Sequence, residues 1–325
     1  MIKVNYGNAA HQTALENAYI SIYPDYGAMN AKWKGLRAKL IKLRASLKPH
    51  LPTQLQSLLL KPYIDLVDLY DEYTKIDKVP DAIVGGLKKL FNYDFHKDKT
   101  KRADVIAEFF IDNMEVHTCH YCDMAYINSF VTDGKKRRHF DLDHALDKGK
   151  CPIIALCLYN FVPSCPICNQ RLKHSRQIEG TAEQRKKLSP TSELYNFERD
   201  VRIRIHNMNG SCSTLGFEKR MNDYEIRFDT SKDPDYELEL KLFKTRDRYN
   251  YHKCEALRLL DLKERYTDSH ILEMARLMIG SPNVKSTPGG MKIITQLKHD
   301  VFANEFSKNF HRTLGKMRED ILKGK

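Results

Sequence analysis

Residues 117–122 read HTCHYC, residues 137–149 read RRHFDLDHALDKG, and residues 158–173 read LYNFVPSCPICNQRLK. Two Cys-x-x-Cys pairs, Cys119/Cys122 and Cys165/Cys168, therefore bracket an Asp-His pair, Asp143-His144. A two-residue gap lets both sulfurs of a pair point at one ion, and four thiolates suit a closed, tetrahedral, structural zinc. The competing readings are a redox pair or two unrelated cysteine turns. Forty-two residues separate Cys122 from Cys165, more than a simple zinc ribbon holds, so a substantial insert lies between the knuckles. His117 and His120, beside the first pair, read as surface or packing histidines rather than ligands.

Within the insert, Phe140 and Leu142 alternate with Asp141 and Asp143. That rhythm predicts a strand with one apolar face in the core and carboxylates on the other, delivering His144 at its end. Asp143 suits a hard cation and neutral His144 suits proton transfer near pH 7, the pairing that phosphodiester hydrolysis uses. Asn160 precedes the second knuckle, Asn169 follows it directly, and Lys173 falls four residues later.

The order D-H, then N-x-x-P-x-C-x-x-C-N-x-x-x-K resembles the zinc-containing HNH endonucleases of the His-Me finger (ββα-metal) group. The wording FDLDH…LYNFVPSCPICN is similar to bacterial HNH proteins of anti-phage defence, Septu-like nuclease subunits among them. The likeness covers roughly residues 114–180. It implies a central ββα-metal finger within an α+β fold. It implies His144 as general base, Asp143 and Asn169 as ligands of one magnesium or manganese ion, and Asn160 as the residue fixing the loop that orients His144. Many members carry His where Asn169 stands. The resemblance further implies DNA as substrate, 5′-phosphate and 3′-hydroxyl products, and an ATPase-type partner protein. Two readings stand beside it: a zinc-stabilised nucleic-acid-binding module without catalysis, and an RNase on the same scaffold.

Charge agrees with a polyanionic partner. Lys and Arg number 54 against 42 Asp and Glu, a net charge of +12 with pI near 9.1. Lys135, Lys136, Arg137 and Arg138 lead into the predicted strand, and Arg171 and Lys173 continue the basic text after the second knuckle. This placement favours a phosphate-gripping surface over a solvated charged face. Lys173 reads equally as an exposed helix lysine. The cluster Lys97, Lys99, Lys101, Arg102 reads more simply as solvated charge.

The flanks define two further regions. Residues 1–113 read as helical. A helix is expected over Ala28–Leu47, ending before Lys48-Pro49 because proline pushes its predecessor out of the helical region. Tyr63, Leu66, Val67, Tyr70 and Tyr73 form a second apolar stripe, another helix follows Asp81, and Val105, Ile106, Phe109, Phe110 and Met114 mark one from Arg102. Residues 114–190 hold the motifs. In residues 191–325, VRIRIH (201–206), YEIRF (224–228) and YELELKLF (236–243) alternate as strands, with a turn at Asn209-Gly210. Helices follow around Leu259, Leu262 and Tyr266, around Ile271, Met274 and Met278, and around Phe302, Phe306 and Phe310.

Apolar residues make up 42% of the chain, enough for ordinary cores and against wholesale disorder. A chain of this size needs no disulfide framework, so Cys151, Cys157, Cys212 and Cys254 read as buried free thiols. No charged-then-apolar leader and no bilayer-length apolar run is visible, which makes a reducing cytoplasm the expectation and a membrane partner not. The oligomeric state is open, and a second copy is compatible with cutting both strands.

Overall fold

A computed structural model describes residues 1–97, 100–208, 221–302 and 312–323. The chain is mixed α+β and divides into two compact units, Met1–Phe197 and Glu198–Lys325.

The first unit opens with helices α1 (Ala9–Ser21), α2 (Tyr26–Leu43), α3 (Leu55–Leu59), α4 (Tyr63–Thr74) and α5 (Asp81–Leu90). Three of them carry a visible start signal. Asn8 caps α1 by accepting from the His11 amide, and Pro62 and Pro80 stand immediately ahead of α4 and α5. The helix expected over Ala28–Leu47 ends earlier, at Leu43. Arg44 turns extended and donates to Glu72 and to the Lys75 carbonyl, and a single 3₁₀ turn covers Ala45–Leu47. The stripe of α4 faces inward as its spacing requires, with Tyr63, Leu66, Val67, Tyr70 and Tyr73 all buried.

Two short strands, β1 (His96–Lys97) and β2 (Thr100–Lys101), precede α6 (Arg102–Asn113). Arg102 is not free to track phosphates: its guanidinium donates to the carbonyls of Leu90 and Asn92 and covers the Phe95 ring. Lys99 lies outside the described residues. The motif region then forms two antiparallel pairs, β3 (Ser129–Thr132) with β4 (Lys135–Arg138), and β5 (Asp141–His144) with β6 (Phe161–Ser164). Asp133 and Gly134 both take positive φ (50° and 68°), the geometry a two-residue hairpin of right-handed twist demands. A π-helix, Ile167–Lys173, carries the second knuckle forward, and a capping box at Thr181 opens α7 (Ala182–Lys187).

After the short α8 (Phe197–Asp200), the second unit pairs β7 (Arg202–Asn207) with β8 (Tyr224–Asp229). The third expected strand is a helix instead, α9 (Tyr236–Leu242). Its letters alternate, but Tyr236, Leu240 and Phe243 also stand at helical spacing and all are buried, while Asp235 and Glu237 suit a helix start. Helices α10 (Thr245–Tyr251), α11 (Lys253–Arg265), α12 (Asp268–Ile279), α13 (Gly290–Val301) and α14 (Gly315–Lys323) complete the unit. The buried pair Lys316–Asp320 of α14 ties to β7, since Asp320 accepts the Ile203 amide at 2.8 Å. Cys151 and Cys157 are buried, whereas Cys254 is exposed, because its position on α11 turns it away from Ala256 and Leu257 on the buried side. The Asn209-Gly210 turn, Cys212, Phe306 and Phe310 lie outside the described residues. Among the described residues, no helix is long and apolar enough to cross a membrane.

Candidate metal centre and the cavity beside it

The two knuckles converge. Cys119, Cys122, Cys165 and Cys168 are all buried and their sulfurs lie within 4.8 Å of one another. The first knuckle is a tight turn in which the Asp123 amide donates to the Cys119 carbonyl at 2.8 Å, with Asp123 at φ 54°. In the second, the Asn169 amide donates to the Cys165 carbonyl at 3.0 Å. The Cys122–Cys165 sulfur separation is 4.0 Å. An ion bound tetrahedrally at about 2.3 Å sets sulfurs about 3.8 Å apart, so the four thiols are positioned to hold one metal ion. Within the set, hydrogen bonding from the Cys119 sulfur lowers the Cys165 and Cys122 thiols, while burial raises Cys119, and Cys168 is also raised. His120 takes no part in this sulfur set. It is buried and bonded through Nδ1 to the Ile2 carbonyl, and burial pulls its pKa down to about 4.

Next to the cysteines, the β5–β6 ladder places His144 opposite Phe161. Its ring packs between Tyr93 and Phe161, at centroid distances of 5.0 and 4.8 Å. Nε2 lies 2.9 Å from the Ala155 carbonyl, which can only accept, so Nε2 carries the hydrogen and Nδ1 is the basic nitrogen. Burial, reinforced by the positive charge of Lys148, lowers the His144 pKa to about 3. The ring is a neutral imidazole over the whole ordinary pH range. Asn160, fully buried, holds the loop that supplies Ala155. Its side chain accepts from the Leu146 amide at 2.8 Å and donates to the Leu146 and Ile154 carbonyls, each at 3.2 Å.

Asp143 does not stand on an open face of the strand, as alternation alone would have it. It is buried like Leu142, because Tyr121 and Lys173 cover that face. Tyr121 donates to its Oδ2 at 2.6 Å, and the Lys173 ammonium lies 3.0 Å from the same oxygen and 3.1 Å from Oδ1. Burial pushes the carboxyl above its usual pKa against the opposing pull of Lys173. Lys173 is accordingly neither an exposed helix lysine nor a free phosphate contact: it is 4% exposed and also donates to the His144 carbonyl at 2.8 Å. Asn169 reaches a different carboxylate, donating to Asp141 at 3.1 Å, where Gln170 donates as well.

Asp143, His144 and Asn169 line one open cavity of about 730 Å³, together with Asp141, Lys148 and Lys173. Sharing a cavity is not sharing a cation. Both oxygens of Asp143 are engaged by Tyr121 and an ammonium, and the Asn169 amide is turned to Asp141, so the pair does not form a common oxygen cage for magnesium or manganese in this arrangement.

The basic text divides in two. Lys136 is ion-paired with Asp112 and Glu108, and Arg138 reaches Asp104 at 3.9 Å, so alternate residues of β4 dock on the acidic stripe of α6. Arg137, between them, and Arg171 are exposed. Lys135 pairs with Thr132 across the hairpin. Three residues escaped the sequence reading, Lys148 and Tyr93 on the cavity wall and Tyr121 bonded to Asp143. Tyr121 sits inside the first knuckle, and Lys148 follows Asp143-His144 closely, its ammonium 4.2 Å from the Tyr93 ring centre. Both were legible as neighbours of the motif; Tyr93, some fifty residues upstream, carries no local signal.

No family model matches the chain, and neither a curated protein nor a solved structure matches it.

Proposed function

We propose that this chain is an HNH-type endonuclease that hydrolyses DNA phosphodiester bonds, with a structural zinc in the four-cysteine centre. The observation that carries the reading is the state of His144: a neutral imidazole with Nε2 anchored to a backbone carbonyl and Nδ1 left as the base, on an open cavity whose lining mixes carboxylates (Asp141, Asp143, Asp147) with cations (Arg138, Lys148, Lys173). Zinc at the four sulfurs would supply no chemistry of its own, since a closed thiolate set leaves no open position. It would fix the spacing between the two knuckles, and through them Tyr121 and the π-helix that bears Asn169 and Lys173.

In this mechanism His144 Nδ1 takes a proton from water as the water oxygen attacks phosphorus, and the bond to the 3′ oxygen breaks with the departing 3′ oxygen taking a proton from solvent. With its pKa lowered to about 3, His144 is deprotonated at neutral pH but a weaker base than an ordinary imidazole, so its contribution falls at the low end of general-base catalysis, on the order of 10²-fold. Lys148, which lines the same cavity, offers positive charge to the phosphate. No step passes through magnesium or manganese, because Lys173 holds the counter-charge position on Asp143. A role as a defence effector beside an ATPase-type partner belongs to the same proposal and rests on the resemblance alone.

The test is plasmid nicking by the purified chain and by His144→Ala, each with magnesium and with a chelator. Nicking by the native chain, lost in the variant, supports the reading. Nicking that survives His144→Ala removes the mechanism, and DNA binding without any nicking favours the binding module. The two buffers report whether a divalent cation takes part.

A further inference from the structure

Away from the cysteine centre, α2, α5 and the segment leading to α6 enclose a cleft of about 470 Å³. Its floor is apolar, built by Met29, Leu36 and Leu90, and Phe95 stands at its edge with 40% of its surface exposed. Lys32, Lys39 and Lys89 line it, and none of the three is ion-paired among the described residues. Lys32 and Lys39 stand on one face of α2, two turns or about 10 Å apart. Asp25 is the cleft's one acidic side chain, and Arg102 is committed to the Leu90 and Asn92 carbonyls.

Gly35 leaves the α2 wall of the cleft without a side chain, as Gly85 does on the other wall's helix away from the cleft. Gly35 lies mid-way along an 18-residue helix, where glycine costs about 1 kcal/mol against alanine. Gly86 across the cleft has a packing reason, since a Cβ there would meet Leu36 at 2.8 Å. A Cβ on Gly35 would meet nothing within 4 Å, so no protein atom requires the room it leaves in the cleft wall.

We propose that this cleft binds a phosphorylated nucleotide, its base on the apolar floor against Phe95 and its phosphates on Lys32, Lys39 and Lys89. A lone inorganic anion has no use for the floor, and a fatty acid has no use for three cations spread along the rim. The volume falls in the range of small-ligand pockets. The same chemistry is presented by a free nucleoside triphosphate and by one unit of a single-stranded nucleic acid, and the experiment separates these sources.

ATP and a short phosphorothioate oligodeoxynucleotide are titrated calorimetrically into the full chain, into Lys39→Glu and into Gly35→Phe, which fills the cleft from an open position. Circular dichroism checks each fold, and Lys32→Glu replaces either variant that fails it. The expected result is binding weakened by at least about tenfold in both variants. Loss confined to ATP identifies a free nucleotide, and loss confined to the oligonucleotide identifies a strand. Unchanged binding of both ligands, no binding of either to the native chain, or tripolyphosphate binding as tightly as ATP each overturns the proposal. None of these readings depends on nicking, so the cleft and the nuclease site stand or fall separately.

Discussion

The Lys173 ammonium lies 3.0 Å from Asp143 Oδ2, with both side chains buried, and the same ammonium reaches the His144 carbonyl at 2.8 Å. One side chain from the π-helix thus fastens both members of the Asp-His pair at the end of β5. Removing one partner of a buried pair strands the other as an uncompensated charge, a loss of about 3–5 kcal/mol. Lys173→Met is expected to destabilise the first unit by that order in urea denaturation. Adding Asp143→Asn should recover much of the loss, since a neutral amide can still accept from Tyr121. Additive losses in the double variant would show that the two side chains do not interact.

The four-cysteine centre makes a separate prediction. Its sulfurs already cluster, so metal binding and folding of the motif region should be linked, with thiolates rather than thiols as ligands. The purified chain should carry one tightly held zinc, and cobalt in its place should give the sulfur-to-metal charge-transfer band. Cys165→Ser should lose the tight ion and lower the melting temperature of the first unit. A chain that melts identically before and after complete removal of the metal would refute the link.

What could be read in the sequence was whatever depends on spacing along one segment. The knuckles, the stripe of α4 and the β7–β8 alternation are local patterns, and the structure places those residues accordingly. The misread pieces are those in which a distant segment decides the outcome. Residues 236–243 satisfy both a two-residue and a helical period, and only the packing of Tyr236, Leu240 and Phe243 selects the helix. Asp143 looked like the solvent face of a strand because nothing in FDLDH announces Tyr121 and Lys173, 22 and 30 residues away, as its cover. The π-helix matters here as well. Its wide turn, with the His174 amide bonded to the Asn169 carbonyl five residues back, carries Lys173 inward where ordinary helical reading left it exposed.

Acid should unfold the first unit earlier than surface charge alone would require. His144 and His120 have pKa values lowered to about 3 and about 4 by burial, against 6.5 when unfolded. The unfolded chain therefore binds protons that the folded chain does not as pH falls from 6.5 toward 3. Stability is fully present above pH 6.5 and declines through that window, at up to about 1.4 kcal/mol per pH unit for each histidine. Asp143, raised by burial, works in the opposite direction at the acid end. Urea midpoints measured between pH 7 and 4 should fall, and His144→Gln should flatten the slope. A slope unchanged by that substitution would mean the imidazole titrates normally.

The hairpin offers the sharpest test of which basic residues grip DNA. Lys136 faces α6 and pairs with Asp112 and Glu108, so its charge is already answered within the fold. Arg137 points to the other side of β4, opposite Phe130 in the register, and its side chain is exposed. If the hairpin lies along the phosphate backbone, Arg137→Ala should weaken duplex binding and reduce the slope of log affinity against log salt by about 0.9, one phosphate's worth of counterion release. Lys136→Ala should leave that slope nearly unchanged while loosening the hairpin against α6. The measurement is fluorescence anisotropy over a salt series. Equal slopes for the native chain and Arg137→Ala, or a larger change in Lys136→Ala, would place the DNA on a different face from the one β4 presents.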